Sequence, residues 1–558
     1  MIPSSDFSSS VPSIDTRHKV VPVAKLRIML LIFLIAFLLV LVLIYLRKCQ
    51  KTWQNRGFPS TSPNLLFGDI GDSVWGRKMI SFVVDDIYKK YPNEKLVGFY
   101  EFFRPNLLIR DPQLIESVLV KDFSTFTDRL WIDSSGNNKM SKHLFMMRGK
   151  QWKDLRTKLI TTFSTNKLKL MVSLMDRCAQ IMDTLVEEKC GEESVDMKEI
   201  MSRFATDVIG YCIFGLKFNT LTEPESEYRI IGKKMFNPNL KALIIGFLRV
   251  ISPKTVALLK LTETAPEVEE FFSNLLRQSE DFRKKESFRR NDLMQLILDI
   301  RDRDRERAQC KEYDDVGKYF VLNLLIHSWL TEYDVSIAEE MIDDDTVLSN
   351  IFIFYMAGFE TTASTLSFCL YELSFHPECQ QRLREEIRAL LETNENVASY
   401  EVLKKMTYAE MVISETLRKY PPVGFLFRVC NESYQLPESS LQLFRGDRVT
   451  IPVLPLHFDE KYYPNPEKFD PDRFTPENIS ARPPYTYLPF GDGPRMCLAI
   501  RFAKMEMKLC LARIISKYEF LPSSKTEIPL QMHSRSFLLN PKNGIQLRVR
   551  PATKGGSS

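Results

Sequence analysis

Residues 488–507, LPFGDGPRMCLAIRFAKMEM, hold one thiol, Cys497, behind a loop containing Gly491, Gly493, Pro494 and Arg495 and ahead of a helix-like run. A nucleophilic cysteine needs a nearby base, and the chain carries no Cys and His signature of that kind. GDGPRM is not a phosphate loop either, because it lacks the Walker lysine and the third glycine of a dinucleotide turn. Two readings remain, a buried structural cysteine and a lone thiolate on iron. The rest of the chain decides between them.

The 558 residues are 44% hydrophobic and 11% aromatic, with Phe alone present 38 times and no long low-complexity tract, which describes an ordered globular chain. A net charge of +5 is too small to argue for nucleic acid, and no nucleic-acid motif is present. Ten cysteines form no CxxC pair and no dense framework, so they read as reduced thiols in a cytosolic environment. They never cluster with the six histidines at zinc spacing.

Residues 28–46, IMLLIFLIAFLLVLVLIYL, are uninterruptedly apolar and as a helix match a hydrocarbon core of about 30 Å. No small-residue cleavage site follows, which favours a membrane anchor over a secretory signal. Basic residues flank both ends, so charge leaves the orientation open, and the unpaired cysteines favour a cytosolic body. The chain divides into an N-terminal extension (1–27), a transmembrane anchor (28–46), a Pro- and Gly-containing connector (47–72), a body (73–550) and a tail (551–558). In the body, amphipathic runs near 150–190, 195–215, 267–298, 346–375, 378–394 and 408–419 predict helices. DRVTIPV (447–453) and GIQLRVR (544–550) predict short strands.

Three further motifs bear on Cys497. AGFETT (357–362) puts an acid and two hydroxyls into an apolar helix, where Thr361 can simply bond back to its own backbone. SETLRKYPP (414–422) spaces Glu415 and Arg418 at i, i+3 on a helix that Pro421 and Pro422 stop. FDPDRF (469–474) supplies Arg473, which can complete a buried triad with them. In the iron reading, the loop glycines let N–H groups turn toward the sulfur, and Arg495 can pair with a haem propionate.

These four motifs, in this order on a chain with one N-terminal anchor, resemble the cytochrome P-450 superfamily of haem-thiolate monooxygenases, over about residues 57–550. WKDLR (152–156) resembles the family's Trp and Arg pair for haem propionates, and FLFRVC places Arg428 at a further propionate contact. RNDLMQLI, AGFETT, YYPNPEKFDPDRF and FGDGPRMC look most like insect microsomal detoxifying enzymes. The resemblance implies a mainly α fold with small β-sheets (α+β). It implies haem b with the Cys497 thiolate as axial ligand and Trp152, Arg156, Arg428, Phe490 and Arg495 as further cofactor-binding residues. Ala357 and Gly358 then leave room for dioxygen, Glu360 and Thr361 deliver protons, and Glu415, Arg418 and Arg473 form the structural triad.

On the same resemblance, electrons come from NADPH through a separate FAD/FMN reductase, with cytochrome b5 as a second partner. The catalytic domain lies on the cytosolic side of the endoplasmic reticulum membrane. Arg148, Lys150, Lys153, Lys158, Arg501, Lys504 and Lys508 form a docking face. Lipophilic substrates meet segments 129–146, 235–262, 422–427 and 533–538, including Trp131, Phe145, Phe236, Phe247, Phe425 and Phe537. Ala499 departs from the glycine usual two residues after the ligand, and its methyl is expected to push the next helix off the haem.

Two rivals use the same fold: a haem-thiolate isomerase or dehydratase, disfavoured by Glu360 and Thr361, and a noncatalytic haem-binding membrane protein, for which Ala499 argues. The resemblance does not explain residues 314–346. Residues 317–338 read as a retained intron, because codons for Gly317, Lys318 and Tyr319 can spell a splice donor, those for Ala338 and Glu339 an acceptor, and YFVLNLLIHSWL is too apolar for an exposed loop.

Overall fold

The computed structural model describes residues 23–129, 138–236, 240–285, 290, 292–306, 342–393, 398–437, 439 and 441–552. Its axis is the central helix Asp344–Phe375, 32 residues long, which starts where the Asp343 carboxylate accepts from Thr346 N. Asp344 and Asp345 in its first turn favour the positive end of the helix dipole. The helix is apolar on most sides and is correspondingly buried. It lies close along the flanking helix Met197–Ile209, and Gly358 permits this: a Cβ there would sit 2.3 Å from Ile209 Cδ1. Gly358 therefore serves helix packing.

Most predicted helices are present, with breaks where local geometry demands them. The run near 150–190 divides into Gly149–Leu159 and Thr165–Glu188, separated by a 3₁₀ turn at Ile160–Phe163 and an extended Ser164. Pro266–Lys285, Pro377–Thr393, the triad helix Thr407–Lys419 and the cysteine-side helix Ile500–Ile515 follow the pattern.

The strands are β1 (Leu96–Glu101), β2 (Arg104–Ile109), β3 (Val195–Asp196), β4 (Leu426–Val429), β5 (Tyr434–Gln435), β6 (Gln442–Leu443), β7 (Arg448–Ile451), β8 (Tyr518–Pro522) and β9 (Gln546–Pro551). One sheet has the order β1-β2-β7-β4, a second β3-β9-β8, and β5 pairs with β6. The predicted strands are β7 and β9; Pro452 follows β7 directly and is the first residue unable to donate to the ladder. β1 and β2 were not read from the sequence. Their side chains, including Val97, Phe99, Leu107 and Leu108, build a core separate from the helical one, together with Val449 and Ile451 of β7.

The connector differs from expectation. The first helix runs Val23–Cys49, and the chain beyond it is already body. Trp53 is fully buried, and Gln50 Nε2 donates to the carbonyls of Asn64 (2.7 Å), Leu65 (3.2 Å) and Phe102 (3.3 Å). Arg56 pairs with Asp447 at 2.6 Å. Fully burying an aromatic side chain contributes about 1.5–3 kcal/mol, so this joint is part of the fold.

Residues 317–338 lie outside the described residues, but the chain on either side of them meets. Ile342 N donates to Asp304 Oδ2 at 3.4 Å, and Asp344 pairs with Arg301 and Arg305 at 3.1 and 2.7 Å.

Candidate active site

Cys497 lies deep in the molecule yet keeps partly accessible surface, so it borders an internal space. Its N–H donates to Phe490 O at 2.9 Å, which closes the loop. Gly493 is obligatory: its φ is +68°, and a Cβ would lie 1.9 Å from Leu119 O. Burial raises the thiol pKa, while the Ala499 N–H and the Arg129 and Arg156 guanidiniums oppose that shift. The N–H aimed at sulfur thus comes from Ala499 rather than from a loop glycine. Ala499 itself sits at φ −101°, ψ 19° as N-cap of Ile500–Ile515, a conformation alanine adopts without strain. The expected displacement of that helix has no basis in backbone strain.

Arginines crowd around the thiol. Arg495, 1% exposed, donates to Thr127 O (2.8 Å) and Met147 O (2.7 Å), and its guanidinium lies 4.1 Å over the Trp152 ring. Arg156 donates to Met496 O at 2.8 Å, and Arg129 to Arg495 O at 2.6 Å. Arg428, on β4 and 2% exposed, donates to its neighbour Phe427 O at 2.9 Å and to nothing else among the described residues. Burial and mutual repulsion push Arg428 down to about 9, Arg129 to about 10 and Arg495 to about 8. Among the described residues, Asp128, 3.7 Å from Arg495, is the acid that offsets Arg495. Arg428 Nε and Arg495 Nη1 are buried without a partner among the described residues.

Such a cluster is costly unless anions complete it. A porphyrin edge with two propionates, beside a thiolate, supplies anions of the right kind and number. The donor set fits haem.

Ala357 is exposed and Thr361 half-buried, within a stretch of the central helix, 352–361, where partly accessible residues interrupt its burial. Thr361 Oγ1 donates to Ala357 O at 2.6 Å, the back-bond that its sequence context allowed. Glu360, 4% exposed, turns away from them toward Lys198. The triad is assembled: Arg418 donates Nε to Glu415 Oε2 (2.7 Å) and Nη2 to Glu415 Oε1 (2.8 Å), and both residues are 0% exposed. Arg473 Nε lies 3.4 Å from Glu415 Oε1, and Asp470 N donates to the same oxygen at 3.0 Å.

A family model described as Cytochrome P450 matches residues 59–548. The chain belongs to the cytochrome P450 family. Among curated relatives, Cytochrome P450 6k1 of Blattella germanica is 36% identical over 524 residues, covering 93% of this chain and 97% of that protein. Cytochrome P450 6a2 of Drosophila melanogaster is 36% identical over 530 residues, covering 93% of this chain and 99% of that protein. The chain is accordingly an oxidoreductase, a haem-thiolate monooxygenase that draws electrons from a redox partner, and its likeness is to insect enzymes as the motifs suggested.

In this P450 the basic face foreseen near Cys497 is much reduced. Lys504 and Lys508 both pair with Glu410, Lys508 is 4% exposed, Arg501 donates to Phe163 O at 2.9 Å, and Lys158 lies 3.7 Å from Asp304. Lys150 and Lys153 remain exposed. Three of the segments proposed to meet substrate do converge: Phe145 lies 6.3 Å from Phe427, and Phe537 lies 6.0 Å from Phe425 and 6.5 Å from Phe427. Phe236 packs at 5.6 Å on Phe359 of the central helix. Trp131 lies outside the described residues. Sequence reasoning missed Arg129 as a site residue; its segment carries no motif, and its place follows from contact with Arg495 across the fold.

Proposed function

We propose that this P450 is anchored in the endoplasmic reticulum membrane by one N-terminal helix, with its catalytic domain in the cytosol. It inserts one oxygen atom of O2 into lipophilic substrates, xenobiotics or endogenous lipids and hormones, with electrons from NADPH through an FAD/FMN reductase and cytochrome b5 as an auxiliary partner. The observation that carries the site assignment is the set of buried guanidiniums with orphaned N–H groups around one deep thiol. Trp152, Arg129, Arg156, Arg428 and Arg495 hold the haem, Phe490 and Gly493 shape the loop, and Cys497 is the ligand. Bound haem supplies the oxidative chemistry, with the thiolate's electron donation favouring O–O cleavage.

The chain's own residues do the rest. Phe145, Phe425, Phe427 and Phe537 exclude water and bind apolar surface. Thr361 holds a hydroxyl at the open stretch of the central helix, where Ala357 leaves space, and Glu360 supplies the acid. The helix Arg27–Cys49, with mean hydropathy 3.4 and none of its apolar window buried, supports the anchor.

The test is the reduced carbon monoxide difference spectrum, followed by NADPH consumption and product formation with reductase. Cys497→Ser is expected to abolish the thiolate-type band, because an alcohol replaces an anionic sulfur donor poorly. A variant that keeps the band refutes the ligand assignment.

A further inference from the structure

Three buried sulfurs meet between the helices Thr165–Glu188, Met197–Ile209 and Ile500–Ile515. Cys510 Sγ lies 3.6 Å from Met182 Sδ and 3.6 Å from Met201 Sδ, one thioether from each neighbouring helix. All three residues are 0% exposed. Cysteine and methionine are ordinary core fillers, and by themselves they mean no more than packing. The acid beside them is not ordinary.

Glu506 precedes Cys510 by about one turn of the same helix, so the two side chains share a face. It is 0% exposed, and neither carboxyl oxygen has a hydrogen-bond partner among the described residues. Burial pushes this carboxyl far above the usual range, so it keeps its proton. Burial first, and then Glu506, push the Cys510 and Cys212 thiols up as well, which places the acid among the sulfurs. A buried O–H without a partner is costly, and an anion beside it removes the cost. Cys510 becomes that anion when its thiol proton gives way to a metal ion.

The donor set selects the ion. Among the described residues no three His, Cys, Asp or Glu side chains gather as a metal site, so Zn2+ is poorly served here. One thiolate with two thioethers is a soft set of the kind that prefers Cu(I). Charge agrees, because a monovalent ion on one thiolate is neutral in a dry core, whereas a divalent ion leaves a charge uncompensated. Geometry agrees too. An ion about 2.3 Å from each of three sulfurs needs them about 4.0 Å apart, so the two 3.6 Å separations open by only a few tenths of an ångström.

We propose that Cys510, Met182 and Met201 bind one soft monovalent metal ion, Cu(I), and that Glu506 donates its O–H to the thiolate so formed. On binding, the Cys510 S–H bond breaks, a metal–sulfur bond forms and one proton leaves to water. Nothing is oxidised or reduced. All four side chains are closed off from solvent, so the ion enters while the chain folds. Once held, it ties three helices together and stabilises the body by binding the folded state alone.

The test expresses the full chain in copper-supplemented cells, competes the purified holoenzyme against a Cu(I) chelator and counts the copper retained by mass spectrometry. Wild type should keep one copper per chain, with sulfur neighbours in X-ray absorption. Cys510→Ala and the double variant Met182→Leu/Met201→Leu should keep none, while their reduced carbon monoxide spectra match wild type, since Met-to-Leu changes conserve volume. Glu506→Leu should bind copper about tenfold more weakly. Copper should raise the melting temperature of wild type and not that of Cys510→Ala. Should the double variant fold poorly, Met182→Leu and Met201→Leu singly should each lower the copper retained. Wild type without copper, or equal retention in Cys510→Ala or in the methionine variants, overturns the proposal. The copper count needs no haem, so a missing carbon monoxide band in wild type would overturn the monooxygenase reading alone.

Discussion

Two buried charged clusters sit in this molecule, and they are finished to different degrees. Around Glu415 the charges are of both signs: Arg418 spends its donors on Glu415 and on the carbonyls of His457 (2.9 Å) and Pro466 (2.7 Å), His457 Nε2 accepts from Leu488 N at 2.9 Å, and Arg473 Nε, itself without a hydrogen bond among the described residues, stands 3.4 Å from the carboxylate. Around Cys497 the guanidiniums face one another, and two of their N–H groups have no partner among the described residues. A closed network fixes a fold. An open one of a single sign is shaped for a ligand that brings the opposite charge.

The largest effect expected from this contrast is that of Glu415→Ala. It strands Arg418 at 0% exposure and should cost about 3–5 kcal/mol, read in denaturant unfolding and in failure to retain haem. A variant of wild-type stability would show that the cluster is not closed in the sense argued.

Arg428→Leu should act with the opposite sign on the haem-free protein. Removing a buried charge with an orphaned Nε should stabilise it by about 1–3 kcal/mol, while haem retention falls. Equal loss of stability with and without haem would make Arg428 an ordinary structural residue.

The histidines of the two clusters offer a finer test. Burial first, then Arg129 for His143 and Arg418 for His457, pushes both down to about 3. An unfolded histidine takes its proton near pH 6.5, so between about pH 6.5 and 3 the unfolded state binds more protons and stability falls as pH falls. His143→Phe should flatten that slope by at most about 1.4 kcal/mol per pH unit in the haem-free protein. With haem bound the effect should be smaller, because propionates offset Arg129. A slope unaffected by haem would separate His143 from the open cluster.

The smallest effect belongs to deletion of residues 317–338. The hydrogen bond from Ile342 to Asp304 already closes the chain across them, so the shortened protein should melt and bind carbon monoxide as the full chain does. Transcripts that always include those codons would refute the intron reading while leaving that expectation intact.

What could be read from the sequence followed the distance over which each feature is encoded. The cysteine loop, Glu415 with Arg418, and Trp152 with Arg156 are local spacings: Glu415 pairs with Arg418, Arg495 of the loop lies over the Trp152 ring, and Arg156 reaches Met496 O. Arg129 could not be read, because its partner carbonyl belongs to Arg495, far along the chain, and nothing in FTDRLWID marks it. The same holds for β2, whose parallel partner β7 (Asn106 opposite Arg448) is set only by tertiary packing. Gly358 and the docking lysines illustrate a related limit. A sequence shows a missing side chain or a positive charge, but whether Ile209 or Glu410 fills or cancels it is decided in space.

The joint at Gln50 and Trp53 has a mechanical meaning. Three carbonyls gripped by one amide and an indole locked under the sheet make the first helix a rigid spar rather than a tether. In the membrane-anchored arrangement proposed above, the body would keep one tilt against the bilayer, and its encounter with the proposed reductase would become a search in two dimensions with orientation largely fixed. Truncations meant to free the body from lipid should therefore end before Gln50, since a cut beyond it removes a piece of the body itself.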